Sequence, residues 1–133
     1  KPSPAVGWGL GVERVLALLE EGGVTPPAQV PDAYAVVPDA QTLPQVTVVI
    51  EQLRAAGVKV MQHAGGKDGQ GSMKSQFKKA DASGARFALV FGGDELAQGM
   101  VALKPLRAGG GEQCLKPLAD AAAWGQDLVG GAA

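Results

Sequence analysis

Met73, Phe77 and Ala80 recur at spacings of four and three, while Lys74, Lys78 and Asp81 keep helical spacing on another face. The pattern predicts an amphipathic helix that packs with one side and shows charge on the other. Ser72 stands at its N-cap, where a hydroxyl can accept from a first-turn N–H, and Gly84 stands where a left-handed closing residue is wanted. The next run, Arg86 to Phe91 (RFALVF), is apolar without alternation and closes on Gly92-Gly93, as a strand covered on both faces does. A one-turn acidic crossing around Asp94-Glu95 then leads into Met100 to Lys104, expected as an exposed-edge strand. In such βα arrangements ligands gather where strand ends meet helix starts, so the Gly65–Gly71 stretch and the turn after Phe91 are the places to look.

The remaining elements follow from the same two periods. Leu10 to Leu19 supplies apolar positions most of the way round a helix, which predicts burial on more than one side, and Gly22-Gly23 ends it. Pro26, Pro27 and Pro31 then make 24–31 an extended linker and a domain boundary. Asp32 to Val37 reads as a strand. A helix capped by Thr42 follows, with Val46, Val49, Ile50 and Leu53 as its core stripe and Gly57 as its stop; Val58 to Gln62 is the next strand. Beyond Lys104, a turn over Arg107–Glu112 returns Glu112 to Leu115 as a pairing strand, Pro117 opens a last helix through Leu118, Ala121, Ala122, Trp124 and Leu128, and 130–133 is a frayed tail. The order β-α-β-α-β-β-β-α predicts an α/β sandwich whose sheet is parallel at first and antiparallel towards one edge.

The chain of 133 residues is 46% hydrophobic and 19% charged, which suits one domain with a real core and an appended segment. Its net charge of -1 gives no hint of a nucleic-acid partner, but the distribution does. Lys67, Lys74, Lys78, Lys79 and Arg86 fall within twenty residues against Asp68 and Asp81, a local patch able to hold a phosphate backbone; a solvated helix face explains the same charges. A lone cysteine, Cys114, cannot form an internal disulfide, and one histidine offers no metal spacing, so a reducing cytoplasm fits. His63 reads as a strand-end surface residue, Cys114 as packing, and Trp8 and Trp124 as core or interdomain contacts. No apolar run reaches membrane length.

Two nucleotide motifs fail on spacing. Gly7, Gly9 and Gly11 put Val12 where a dinucleotide fingerprint needs its third glycine, and no Gly-Lys-Ser/Thr follows Gly65 at P-loop distance. A third comparison succeeds. Gly7-Trp8-Gly9-Leu10-Gly11-Val12-Glu13-Arg14 resembles motif 3 of class II aminoacyl-tRNA synthetases, and KSQFKKADASGARFALVFGGDELAQGMVALKPLR closely resembles the C-terminal anticodon-binding domain of bacterial histidyl-tRNA synthetases.

The resemblance implies a three-layer α/β/α anticodon-binding domain with a mixed five-stranded sheet over 32–129, preceded over 1–23 by the end of a class II catalytic domain. It implies that Arg14 holds the γ-phosphate of ATP with Glu13 beside it, and that Gly9 and Gly11 let the backbone pass close to the nucleotide. It further implies that Glu95 and Lys104 read anticodon bases while Lys74, Gln76 and Lys78 support the RNA strand. From the residues alone, a cross-strand ion pair is the competing reading of Glu95 and Lys104. The family ligates histidine to tRNA-His with ATP and Mg2+ as a cytoplasmic homodimer. Its motifs 1 and 2 and histidine-binding segments are not in this sequence, so the piece is expected to be inactive alone, and a non-catalytic synthetase-like RNA-binding or regulatory module is the alternative. The KDGQGSM stretch after Gly66 departs from the family's more direct run into the helix and predicts a mobile loop.

Overall fold

The computed structural model describes residues 2–25, 29–109 and 111–130. Part of the expected linker (Pro26 to Ala28) and most of the tail (Gly131 to Ala133) lie outside the described residues.

Five strands form one sheet: β1 (Ala33–Val36), β2 (Val60–Gln62), β3 (Phe87–Val90), β4 (Met100–Pro105) and β5 (Cys114–Pro117), in the order β2-β1-β3-β4-β5. β1 runs parallel to both β2 and β3, whereas β4 is antiparallel to β3 and β5 to β4. The expected mixed sheet is therefore present, with one correction. The Met100 strand is not an edge, because Met100, Val101, Ala102 and Leu103 pair with Pro117, Lys116, Leu115 and Cys114. β5 takes the edge, shifted two residues later than expected, and Pro117 is tolerated there because it closes the edge strand.

Helices α2 (Leu43–Ala55) and α5 (Ala121–Gly125) cover one face, and α3 (Met73–Ala82) covers the other. Under α2 and α5, Val46, Val49, Ile50, Leu53, Ala121, Trp124 and Leu128 meet Ala33, Ala35, Leu89, Val101 and Leu103. Each fully buried aliphatic side chain there contributes about 1.5–3 kcal/mol. Under α3, Ala80 with Met73 and Phe77 meets Tyr34, Val36 and Ala88. This is the three-layer α/β/α arrangement. The last helix is broken: 3-10 turns at Leu118–Asp120 and Gln126–Leu128 flank α5, and Ala122 is exposed.

Local chemistry explains the helix ends, again with a correction. Ser72 Oγ accepts from Ser75 N at 3.2 Å, as expected, and Gly84 adopts φ +79° just beyond α3. Thr42 makes no capping bond to α2. Instead Asp39 Oδ1 accepts from Gln41 N at 2.8 Å in the preceding 3-10 turn, and Thr42 Oγ1 donates to Asp39 O. Thr42 itself has helical φ/ψ as the last residue of the 3-10 turn, and Pro44 has no N–H for its hydroxyl to accept from.

The first helix, α1 (Val12–Glu21), expected to be buried on more than one side, is not covered by the rest of this chain. None of its residues is buried, and Leu16, Leu18 and Leu19 are exposed. Val12, Val15, Leu16, Leu18 and Leu19 form one face of α1 and Glu13, Arg14, Glu20 and Glu21 the other, so the helix is amphipathic and not, as expected, apolar most of the way round. Both sheet faces are already filled by α2, α5 and α3.

Candidate nucleic-acid interface

α3 offers two flanks to the outside. Lys74 and Lys78 lie exposed on one flank, with Asp81 one turn further on. Arg107, just past β4, donates to Asp81 Oδ1 at 2.9 Å and to Asp81 O at 2.6 Å, tying the end of α3 to the β4–β5 turn. β4 alternates: Val101 and Leu103 belong to the α2/α5 core, so Ala102 and Lys104 project to the α3 side. Lys104 Nζ sits 4.9 Å from the centre of the Phe77 ring. Leu115, opposite Ala102 on β5, is 49% exposed on this same side. The result is an open shelf, with two lysines along its wall and Phe77, Lys104 and Leu115 on its floor.

Glu95 stands at the other end of β4, in the first turn of the short helix α4 (Gly93–Ala97). Its carboxylate folds back over Gly92 and occupies the space a Cβ there would need. Among the described residues no ion pair engages it. Lys104 pairs with Ala88 while Ala102 pairs with Val90. Four residues from Met100 to Lys104 span about 13 Å, so Glu95 and Lys104 mark opposite ends of the shelf and form no ion pair. A carboxylate and an ammonium separated this way can accept from one base and donate to another, or to a phosphate, along one extended strand.

Gly92→Ala tests whether the folded-back carboxylate matters. Gly92 has an ordinary φ of -69°, so the added methyl causes no backbone strain and collides only with the movable end of Glu95. Thermal stability should stay within about 0.5 kcal/mol of the parent while RNA affinity changes several-fold. A large loss of stability, or no change in RNA binding by fluorescence anisotropy, would contradict that assignment.

Gln76 does not belong to this surface. It is fully buried, its Oε1 accepts from Val37 N at 2.9 Å, and its Nε2 donates to Val37 O at 2.9 Å and to Gln70 O at 3.2 Å. A side chain with every polar atom spent on backbone cannot reach an RNA strand, so its expected contact role is withdrawn. His63, expected at the surface, is buried as well. Its Nδ1 lies 2.9 Å from Tyr34 Oη and its Nε2 2.9 Å from Gln70 O. Since a carbonyl only accepts, Nε2 carries the hydrogen and Nδ1 accepts from Tyr34. Burial pushes the Tyr34 hydroxyl above its ordinary pKa.

These side chains anchor the glycine-rich loop. Gly66 and Gly69 exchange backbone hydrogen bonds of 2.8 and 3.1 Å, which places Lys67 and Asp68 at the tip of a tight hairpin. The loop expected to be mobile is thus closed on itself and bonded through Gln70 O. Arg86, counted in the basic patch, is engaged elsewhere: it donates to Asp32 Oδ1 at 3.1 Å and to Leu128 O. Cys114, expected as packing, is exposed on β5. Trp124 is buried and donates from Nε1 to Pro117 O at 2.8 Å, whereas Trp8 is 89% exposed.

The expected nucleotide-binding residues are far less engaged. Glu13 and Arg14 are exposed in the first turn of α1, Gly11 is its N-cap, and no atom lies within 4 Å of where a Cβ on Gly7 or Gly9 would be. Two clefts occur away from these residues. One of about 460 Å3 follows the outer edge of β2 beside Arg54, and one of about 310 Å3 lies between Arg86 and Arg107. Neither contains Glu95, Lys104, Lys74 or Lys78. The candidate site is therefore an open face, the shape suited to splayed bases of a single strand more than to an enclosed small molecule. No helix among the described residues is long and apolar enough to cross a membrane.

Comparison with known proteins identifies the fold. The family model for the anticodon binding domain matches residues 32–127. The histidine–tRNA ligase of Acidovorax ebreus (strain TPSY) is 58% identical over 130 residues, covering 96% of this chain and 30% of that protein. The histidine–tRNA ligase of Ralstonia nicotianae is 49% identical over 107 residues, covering 80% of this chain and 25% of that protein. Among solved structures, histidyl-tRNA synthetase from Nostoc sp. PCC 7120 superposes with a TM-score of 0.60 at 31% identity, over 85% of this chain and 26% of that one. The RNA binding domain of threonyl-tRNA synthetase from Cryptosporidium parvum Iowa II shares the fold, with a TM-score of 0.63 at 19% identity over 88% of this chain and 29% of that one. This chain thus spans less than a third of the length of these relatives. Its β2-β1-β3-β4-β5 sheet, three layers and matched span show that it belongs to the anticodon binding domain family.

Proposed function

We propose that this chain is the anticodon-reading part of a histidine–tRNA ligase, and that the shelf between α3 and β4–β5 receives the unpaired anticodon of tRNA-His. The observation that carries the reading is the combination of exposed Lys74 and Lys78 on one wall, Lys104 on the floor and, at the far end, Glu95 with no ion pair among the described residues. Lysines at surface positions attract the phosphate backbone without regard to sequence, whereas Glu95 can accept from an amino or imino group and Lys104 can donate to a carbonyl oxygen. Gln76 acts here by holding the helix in place.

The whole protein in this reading joins histidine to tRNA-His in an ATP- and Mg2+-dependent reaction in the cytoplasm, as a homodimer. Residues 1–23 are the end of its catalytic domain, 24–31 the linker, 32–129 the anticodon-binding domain and 130–133 a tail. Arg14, exposed and without an ion-pair partner among the described residues, suits a phosphate contact through its planar fork, with Glu13 beside it and open space around Gly9 and Gly11 for a nucleotide. One arginine makes a contact and not a site. Because this sequence lacks the family's motifs 1 and 2 and its histidine-binding segments, the chain alone should bind RNA without aminoacylating it.

Titrating the chain into a fluorescently labelled tRNA-His anticodon stem-loop at increasing salt tests the RNA contact. Two to three phosphate contacts predict that log Kd rises with log salt with a slope of about 1.5–3. Absence of binding at low salt, or affinity independent of salt, would contradict the proposal.

A further inference from the structure

The shelf carries one aromatic ring, and the ring is already occupied. Phe77 packs one side against the core under α3 and is only partly buried, while Lys104, an exposed residue, places its ammonium 4.9 Å from the ring centre. The remaining tryptophans and tyrosine cannot serve this shelf. Tyr34 and Trp124 are buried, and Trp8 lies before α1, outside the matched domain. Phe91 is buried as well, and Phe87 packs into the α2/α5 core beneath the Arg86 guanidinium.

Resting on the RNA reading above, we propose that Phe77 is a stacking platform for one anticodon base, and that Lys104 is its placeholder in the free protein. A solvent-exposed ammonium–ring contact is weaker than the stacking of a nucleobase on an aromatic face, so a splayed base displaces the ammonium from the ring. The displaced ammonium stays tethered to β4 beside the stacked base, where it donates to an oxygen of the same nucleotide or of its 3′ or 5′ neighbour. Lys74 precedes Phe77 by three residues and lies one turn from it, while Lys78, one residue on, projects about 100° round the helix and one turn beyond Lys74, so the two lysines line the backbone path beside a stacked base. Stacking supplies affinity that tolerates any base, and Lys104 and Glu95 supply the choice between bases.

A double-substitution cycle tests this on the 133-residue chain. One side of the cycle is Phe77→Leu, which keeps an apolar side chain against Met73 and Ala80 on α3; the other is an abasic residue placed in turn at each anticodon position of the stem-loop. Phe77→Leu should weaken binding about tenfold. At one anticodon position the abasic substitution should weaken binding to the parent chain and cost little further with Phe77→Leu, because the two changes remove the same contact. Phe77→Tyr, which keeps the aromatic face, should retain the parent's affinity and coupling.

The inference is overturned if the stem-loop binds the parent chain but the abasic and Phe77→Leu losses are additive at all three positions. It is also overturned if Phe77→Tyr behaves as Phe77→Leu does. Failure of the parent chain to bind the stem-loop at all would overturn the RNA reading, and this inference with it. Should Phe77→Leu fail to fold, the Phe77 ring protons of the parent chain provide the second readout. A nuclear Overhauser contact to one anticodon base is expected, and contacts only to Lys104 in the complex would overturn the stacking.

Discussion

Replacing Gln76 with leucine should lower the unfolding free energy by about 3 kcal/mol, because two buried backbone groups lose their partners at about 1–3 kcal/mol each. Val37 N and Val37 O both bond the Gln76 amide at 2.9 Å, and Val37 is itself fully buried, so water cannot take over. Leucine preserves apolar contact, which isolates the hydrogen-bond loss from a cavity. For a domain near 100 residues the melting temperature should fall by roughly 15 °C. Gln76→Glu should be no milder: it keeps an acceptor for Val37 N but turns an oxygen towards the carbonyls of Val37 and Gln70. At a temperature where Gln76→Leu remains folded, RNA affinity should match the parent. Thermal denaturation followed by circular dichroism reads the first effect and stem-loop titration the second; an affinity loss without a stability loss would return Gln76 to the binding surface.

Asp32→Ala should be comparably damaging. Its Oδ1 accepts from Arg86 Nη2 at 3.1 Å and from Gly130 N at 3.0 Å, and its Oδ2 accepts from Lys59 N at 2.9 Å. One carboxylate, on a residue only 7% exposed, thus clamps the approach to β2, the arginine ahead of β3 and Gly130 beyond the last turn. Alanine leaves a half-exposed guanidinium and two N–H groups without their acceptor, which costs about 3 kcal/mol. Asp32→Asn retains an acceptor oxygen but presents an NH2 to at least one donor, and should fall between the two. Urea unfolding provides the measurement, and a loss below about 1 kcal/mol for Asp32→Ala would show that water replaces the carboxylate.

These two residues mark where reading the sequence stops being sufficient. The α3 helix is legible because Met73, Phe77 and Ala80 repeat at helical spacing and Ser72 and Gly84 carry the local chemistry of its ends. Phe87 to Phe91 is legible as a central strand because it has no polar position. Gln76 is not. On α3 it looks like one more polar side chain beside three lysines, and its burial depends on Val37, 39 residues earlier in the chain. His63 fails for the same reason, since its partner Tyr34 is 29 residues away. Edge position failed because it depends on which strand pairs last, and Pro117, read as a helix start, ends β5 instead. Apolar periodicity placed α1 correctly but could not say what covers it. Within the candidate site, Lys74 and Lys78 were legible as a charged stripe, and Glu95 and Lys104 through resemblance. The part played by Phe77 was hidden, because a phenylalanine at a core position gives no sign that its other face is open.

The most direct test of the account is the choice between anticodons. The parent chain should bind the tRNA-His anticodon stem-loop at least tenfold more tightly than the same stem-loop with its three anticodon bases replaced, and Glu95→Gln and Lys104→Gln should each erode that ratio. Equal affinity for every anticodon would contradict specific reading on the α3–β4 shelf.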